Sequence, residues 1–285
     1  MKKIILIIIL LFELFIVFYS KELIKEFSLT INICLYSLMP TLFFQIFFSD
    51  LLYSLKDEIK IPKLILNFFK ISKDDFFIYL ISIFSGYPNN IKLLIDNKNE
   101  YLLYSTNFIN PLFLFVTVGS LYLKNIKMCI IIYICHFISN IIMLIIYKNK
   151  NNISIIINNK KLNYPLTLKN TINTLSIIFS NLLVISLLIT FLKVVLPFNN
   201  TINTFILGIL EFSRGIYEIS LSNNSIYLKG ILILIIITFG SFSIHFQSIC
   251  INNKIKYIKF LLNRILNVFI SILLYFILIF IYTNL

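Results

Sequence analysis

Seven apolar stretches long enough to cross a lipid bilayer recur along the 285 residues, at positions 4–19, 31–55, 108–123, 126–147, 171–196, 231–250 and 260–282. A helix rises ~1.5 Å per residue and the hydrocarbon layer is roughly 30 Å thick, so a crossing takes roughly 17 to 25 mostly apolar residues. The runs leave no interval in which a separate water-soluble core could form. Composition agrees: 59% of the residues are hydrophobic and 13% charged, against roughly 45–50% and about 25% in soluble domains. The expectation is a multi-pass protein of the cell membrane with the lipid bilayer as its first partner.

Two further apolar runs, residues 76–84 and 205–212, are too short to cross. The first stops at Ser85-Gly86-Tyr87-Pro88; the second carries Gly208 and Glu211 and stops at Ser213-Arg214-Gly215. Each reaches about halfway. Lysine placement indicates how they lie, because short cytoplasmic loops are enriched in Lys and Arg. Residues 148–165 hold Lys148, Lys150, Lys160 and Lys161 with no acid, and residues 251–259 hold three Lys with no acid. With Lys2 and Lys3 inside, both loops are cytoplasmic if the two short runs are re-entrant hairpins dipping in from opposite sides. Lys124 and Lys127 then fall outside, the smaller conflict. Between them, Lys56 and Asp75 bracket a loop in which Ile61, Leu64, Ile65, Phe68 and Phe69 recur at helical spacing, as in an amphipathic helix lying at the interface.

The two halves read alike. Thr-Val-Gly-Ser-Leu-Tyr (117–122) parallels Thr-Phe-Gly-Ser-Phe-Ser (238–243), and Asn140 and Asn267 occupy comparable places in the apolar runs that follow. Each half holds three crossings and one half-length hairpin, and an odd number of crossings inverts the second half relative to the first. Inverted repeats with broken helices are a recurrent plan of secondary transporters; a duplication retained only for folding is the plainer alternative. The expected fold class is therefore all-α: a polytopic transmembrane helical protein, an inverted repeat of two halves each with a re-entrant hairpin, plus an N-terminal anchor helix. The corresponding division is an anchor helix at residues 1–28, a first repeat at 29–147, a basic cytoplasmic linker at 148–169 and a second repeat at 170–285.

Several positions stand out as candidates for solute binding or gating. Ser85, Gly86, Tyr87, Pro88 and Asn89 form a helix-breaking tip whose amides donate or accept hydrogen bonds; an ordinary surface turn is the alternative. Asn107, Asn110 and Pro111 mark a helix start where an Asn side chain caps free amides. Glu211, Arg214 and Glu218 are spaced so that one guanidinium reaches two carboxylates, either as a gate, with Gly215 beside it, or as a structural ion pair. Gly240, Ser243, His245 and Gln247 interrupt an apolar crossing, with polar residues at alternate positions that do not share one helical stripe; a locally unwound, water-facing segment is expected there. His245 is either a protonatable group coupled to transport or a buried hydrogen-bonding histidine. His136, alone in an apolar run, reads as structural.

Other functions lack residues to carry them. The net charge of +13 comes from 23 Lys and two Arg, but the lysines lie in short loops and make no continuous basic face, so no nucleic acid is expected as a partner. Cys34, Cys129, Cys135 and Cys250 form no C-x-x-C pair, and no metal is expected. There is no phosphate loop and no Ser-His-Asp set, so neither catalysis nor a cofactor is expected. The first 20 residues resemble a signal peptide but lack a small-x-small cleavage site, which points to an uncleaved anchor.

The pattern resembles the YlbJ-type sporulation integral membrane proteins, which carry the nucleoside-recognition Gate domain. The resemblance runs from about Ile31 to Tyr282 and rests on Ser-Gly-Tyr-Pro at 85–88 followed by Lys92, the stretch from Asn107 through Pro111 to Gly119, Leu210-Glu211-x-Ser213-x-Gly215, and Ser243-x-His245-x-Gln247. It departs from the family after the Pro, where Asn89, Asn90 and Ile91 replace small residues. The resemblance implies a sporulation-associated membrane protein with a transporter-like Gate fold, moving a small solute during spore envelope formation. The alternative is a non-transporting scaffold in spore cortex or envelope assembly. A small-molecule solute, further copies of the chain and other sporulation membrane proteins are the partners these readings imply.

Overall fold

The computed structural model describes residues 2–95, 99–148, 163–195 and 201–284, and all regular structure among them is helical. Five helices are long and apolar enough to cross a membrane: Ser20–Ser54, Ile126–Tyr147, Tyr164–Val195, Ile226–Ile251 and Tyr257–Asn284. The protein is thus a multi-pass, all-α membrane protein.

In chain order, α1 (Lys2–Phe18) bends at Tyr19 into α2 (Ser20–Ile33). A π-helical turn, π1 (Cys34–Leu38), joins α2 to α3 (Met39–Ser54), where Pro40 sits in the first turn without an N–H to give. The whole stretch is one 35-residue helix, ~52 Å long at ~1.5 Å per residue; it begins well before the apolar run at residue 31. Next come α4 (Lys63–Phe69), α5 (Lys73–Ser85), α6 (Asn89–Leu93) and α7 (Glu100–Ser105). The π-helical segment π2 (Phe113–Tyr122) and α8 (Ile126–Tyr147) complete the first half. The second half holds α9 (Tyr164–Val195), α10 (Thr201–Leu210), α11 (Phe212–Leu221), α12 (Ile226–Phe239), α13 (Ser241–Ile251) and α14 (Tyr257–Asn284). Residues 149–162, most of the basic linker expected at 148–169, lie outside the described residues.

Two of the seven expected crossings are not among these five: residues 4–19, where α1 has 17 residues, and residues 108–123. Residues 108–123 do not form a continuous helix: 106–110 are unwound, and helix resumes over 111–122, ~18 Å. Pro111 cannot donate to the preceding turn. Asn110 takes over as cap, its Oδ1 accepting from the amides of Leu112 (2.8 Å) and Phe113 (3.3 Å). The path from Glu100 to Tyr122 is therefore α7, an unwound stretch, then π2.

Contacts sort the ends of these elements into two groups. In one, Asp75 at the start of α5 accepts from Asn99 Nδ2 (2.8 Å) and Tyr101 Oη (2.7 Å) beside the start of α7, and Lys256 before α14 reaches Glu100 (3.5 Å). In the other, Thr201 at the start of α10 bonds Asn224 beyond the end of α11, and Tyr122 at the end of π2 meets Tyr217 edge to face. The chain between Asp75 and Asn99 thus returns to the end it left, as does the chain between Thr201 and Asn224.

At the centre α8 lies on α12 and α14. Asn267 Nδ2 donates to Asn140 Oδ1 (3.1 Å), and Tyr275 Oη reaches both the Tyr227 carbonyl (2.8 Å) and Met128 Sδ (3.4 Å). On the outward face of α14, Phe269, Leu273, Phe276 and Phe280 are each at least 60% exposed, as a lipid-facing surface requires. Of the apolar residues that recur at helical spacing here, Ile61 and Phe69 pack inward while Leu64 of the short α4 is exposed.

Candidate functional site

Four interruptions of helix converge in the interior: the turn after α5, the unwound residues 106–110, the α10–α11 turn and the kink between α12 and α13. Each frees backbone groups that an unbroken helix would satisfy, and in lipid such groups need partners from the protein.

The first two cross one another. Gly86 has φ +68°, and a Cβ there would lie 2.6 Å from the amide nitrogen of Asn110, so only glycine permits both the backbone angle and the approach. Beside this contact, Tyr87 N–H donates to the Phe108 carbonyl (2.9 Å). Asn90 Nδ2 donates to Thr106 Oγ1 (3.3 Å) and Asn107 Oδ1 (3.2 Å), while Asn107 Nδ2 donates to the Leu103 carbonyl and Asn110 Nδ2 to the Thr41 carbonyl. The Asn107 to Pro111 stretch is thus both a helix cap and part of a polar knot.

The freed amide of Ile109 donates to His136 Nε2 on α8 (3.0 Å). That nitrogen must therefore carry a lone pair, which puts the ring proton on Nδ1, where it donates to Thr238 Oγ1 of α12 (3.0 Å). His136, expected to be structural, ties the break in the first half to the break in the second and does so as a neutral ring.

The second break is built differently. Gly240 ends α12 with φ +86°, freeing the Phe239 carbonyl. This oxygen only accepts, so both of its neighbours donate: His245 Nε2 (3.0 Å) and Arg264 Nε from α14 (3.0 Å). Tyr87 Oη donates to the adjacent Ile237 carbonyl (3.2 Å), linking the first turn to this kink. Ser241 Oγ donates to the Gly208 carbonyl of α10, and Gly208 lies against Gly215 of α11 with no room for a side chain between the two helices.

The expected unwound, water-facing segment around Ser243, His245 and Gln247 is not found. Residues 241–251 are helical, and these three side chains are buried. The physical reason is that α13 packs against α6, α9, α10 and α11, so it has protein on most sides and can carry polar groups at several angles.

Glu211, Arg214 and Gly215 are also placed. Glu211 caps α11: its carboxylate accepts from the amides of Ser213 (3.1 Å) and Arg214 (2.5 Å) and from Ser213 Oγ (2.7 Å). Arg214 does join two carboxylates, but the second is Glu26 of α2 (3.4 Å) rather than Glu211; the first is Glu218 (2.7 Å). Lys193 of α9 completes the group on Glu26 (2.8 Å). Spacing within α11 could not reveal a partner 188 positions earlier in the chain. This two-plus-two cluster balances its own charge and ties α11 to α2 and α9.

Leu38, Leu42, Tyr87, Pro88, Ile109, Asn110, Phe113, Ile178, Phe212, Ile244 and Gln247 line a narrow crevice at the convergence. Around it lie buried polar atoms that make no hydrogen bond among the described residues: both amide atoms of Asn89, both of Gln247, Ser85 Oγ, Ser243 Oγ, His245 Nδ1 and Arg264 Nη1. A buried amide without partners costs roughly 1–3 kcal/mol, so a cluster of them marks a place built to meet something polar. The structure therefore brings Ser85, Gly86, Tyr87, Pro88, Asn89, Asn107, Asn110, Pro111, Gly240, Ser243, His245 and Gln247 into one region and turns Arg214 away from it. Sequence reasoning missed Arg264, Thr238 and the role of His136; the signal for Arg264 was the rarity of arginine in this chain.

No protein-family model, no curated protein and no solved structure matches the chain.

Proposed function

We propose that this chain is a transporter-like membrane protein in which two half-length hairpins, α5–α6 and α10–α11, enter from opposite sides of the bilayer and enclose a solute site at its middle. The halves are read as an inverted repeat. Each contributes a hairpin, an interrupted crossing (α7–π2 and α12–α13) and a closing helix (α8 and α14). The carrying observation is the convergence of all four interruptions on one set of unpartnered buried polar atoms, those of Asn89, Ser243 and Gln247 above all. A helix bundle with no ligand to hold would not need four breaks that meet one another.

The contacts of Asp75 with Asn99 and Tyr101, and of Thr201 with Asn224, support the hairpin reading. With the Lys254 and Lys256 loop on the cytoplasmic side, the first hairpin enters from inside and the second from outside. By the resemblance to YlbJ-type proteins, the solute moves during spore envelope formation. The scaffold alternative rests on the basic linker, most of which lies outside the described residues.

Solute flux into proteoliposomes tests the reading. Asn89→Ala and Gln247→Ala are expected to lower flux at least tenfold with the protein still folded, and unchanged flux in both would remove the site.

A further inference from the structure

A buried cation lies at the convergence with no ion pair among the described residues. This cation, Arg264, is 2% exposed and is the largest of the fully buried side chains among the described residues. Arg264 lies within electrostatic reach of Tyr87, His136 and His245, and its guanidinium is in salt-bridge contact with no carboxylate among the described residues. A guanidinium has five N–H donors. One, at Nε, is used on the Phe239 carbonyl, and Nη1 makes no hydrogen bond. The carbonyl end of α12 favours a cation, yet Phe239 O already receives His245, so holding the break does not by itself require a charge.

The guanidinium also lies against the break at Gly240. A Cβ on Gly240 would lie 3.3 Å from Nη2, so Arg264 lies against the head of α13. From there Gly240, Ser243 and Gln247 follow at spacings of three and four, which places them along one face of that helix. Ser243 Oγ and both amide atoms of Gln247 are unpartnered; Gln247 shares the crevice with Pro88, and the next residue, Asn89 of α6, is unpartnered too. A buried lone cation at one end and neutral donors and acceptors at the other are complementary to a molecule with an anionic head and an uncharged polar body.

Building on the solute site proposed above, we infer that the solute is an anion whose carboxylate or phosphate pairs with Arg264 while Ser243, Gln247 and Asn89 hold its uncharged polar part.

Matched pairs of probes separate charge from shape: lactate against lactamide, and glycerol 3-phosphate against glycerol. Thermal unfolding of the purified full-length chain in detergent, titrated with each probe, should show saturable stabilisation by an anionic member at a concentration at least tenfold below its neutral counterpart. Stabilisation by lactate identifies a carboxylate head and by glycerol 3-phosphate a phosphate head. Arg264→Gln should abolish the difference and Arg264→Lys should retain part of it. A second measurement does not depend on variants at Arg264. With Cys250, the exposed cysteine, replaced in Cys250→Ser, a Ser243→Cys protein in proteoliposomes should react faster with an anionic methanethiosulfonate than with a trimethylammonium one of similar size. Equal stabilisation by charged and neutral partners, or a preference for the cationic reagent, overturns the anion and leaves the solute site standing. No stabilisation by any probe together with no labelling at position 243 overturns both.

Discussion

The two interrupted helical paths, α7–π2 and α12–α13, solve one problem in different ways. In the first half five residues, 106–110, leave the helix, and the freed amide of Ile109 has a single partner, the neutral ring of His136. In the second half the chain breaks at Gly240 alone, and the freed carbonyl of Phe239 has two donors, one of them the buried cation Arg264. The hairpins differ in the same sense. Gly86 of the first crosses the unwound chain at Asn110, whereas the second closes on itself at Gly208 and Gly215. The two breaks thus differ in charge: a neutral ring alone holds the first, and a ring together with a cation holds the second. A single-supported break should also be more fragile than a doubly supported one.

That contrast can be broken most forcefully at the second hairpin. A Cβ on Gly215 would overlap the backbone of Gly208, so Gly215→Val is expected to cost more than the roughly 1–3 kcal/mol of ordinary overpacking and to abolish recovery of monodisperse protein in detergent. Normal recovery would show that α10 and α11 are not packed through these glycines. Next in size is His136→Ala, which strands the Ile109 amide and the Thr238 hydroxyl. At roughly 1–3 kcal/mol per buried unsatisfied group, the loss should total about 2–6 kcal/mol in chemical unfolding. His245→Ala should cost less, about 1 kcal/mol, because Arg264 still donates to Phe239 and one hydrogen bond is worth roughly 0.5–1.5 kcal/mol. Equal losses at positions 136 and 245 would erase the distinction between single and double support. The smallest effect belongs to Lys256→Ala: this pair with Glu100 is well exposed on both sides, and such pairs contribute about 0–1 kcal/mol, so a shift in unfolding midpoint near the limit of measurement is expected.

The membrane-spanning character was legible because it is written in run length, and the helix-breaking roles of Gly86, Pro111 and Gly240 were legible because they are local chemistry. What sequence could not carry was partnership across distance. Asn110 reads as a cap, but the Thr41 carbonyl on its Nδ2 lies 69 positions away. Arg214 reads as the partner of carboxylates on its own helix, but Glu26 is on α2. The polar run at Ser243, His245 and Gln247 suggested unwinding because periodicity assumes that polar groups need a wet face, whereas α13 packs against four other helices and buries them there, leaving Phe246 and Cys250 on its exposed side. Apolar length also misplaced the crossing at 108–123, since hydropathy does not register that Asn107 and Asn110 hold backbone apart inside the protein.

The central claim is that Asn89 and Gln247, contributed by opposite halves, face one solute site in the middle of the membrane. Its most direct test is the labelling of Asn89→Cys and Gln247→Cys, each in the Cys250→Ser protein, with a membrane-impermeant thiol reagent in right-side-out and inside-out vesicles. The account predicts that both positions, buried as they are, react from both sides. Failure of both to react from either side would contradict it.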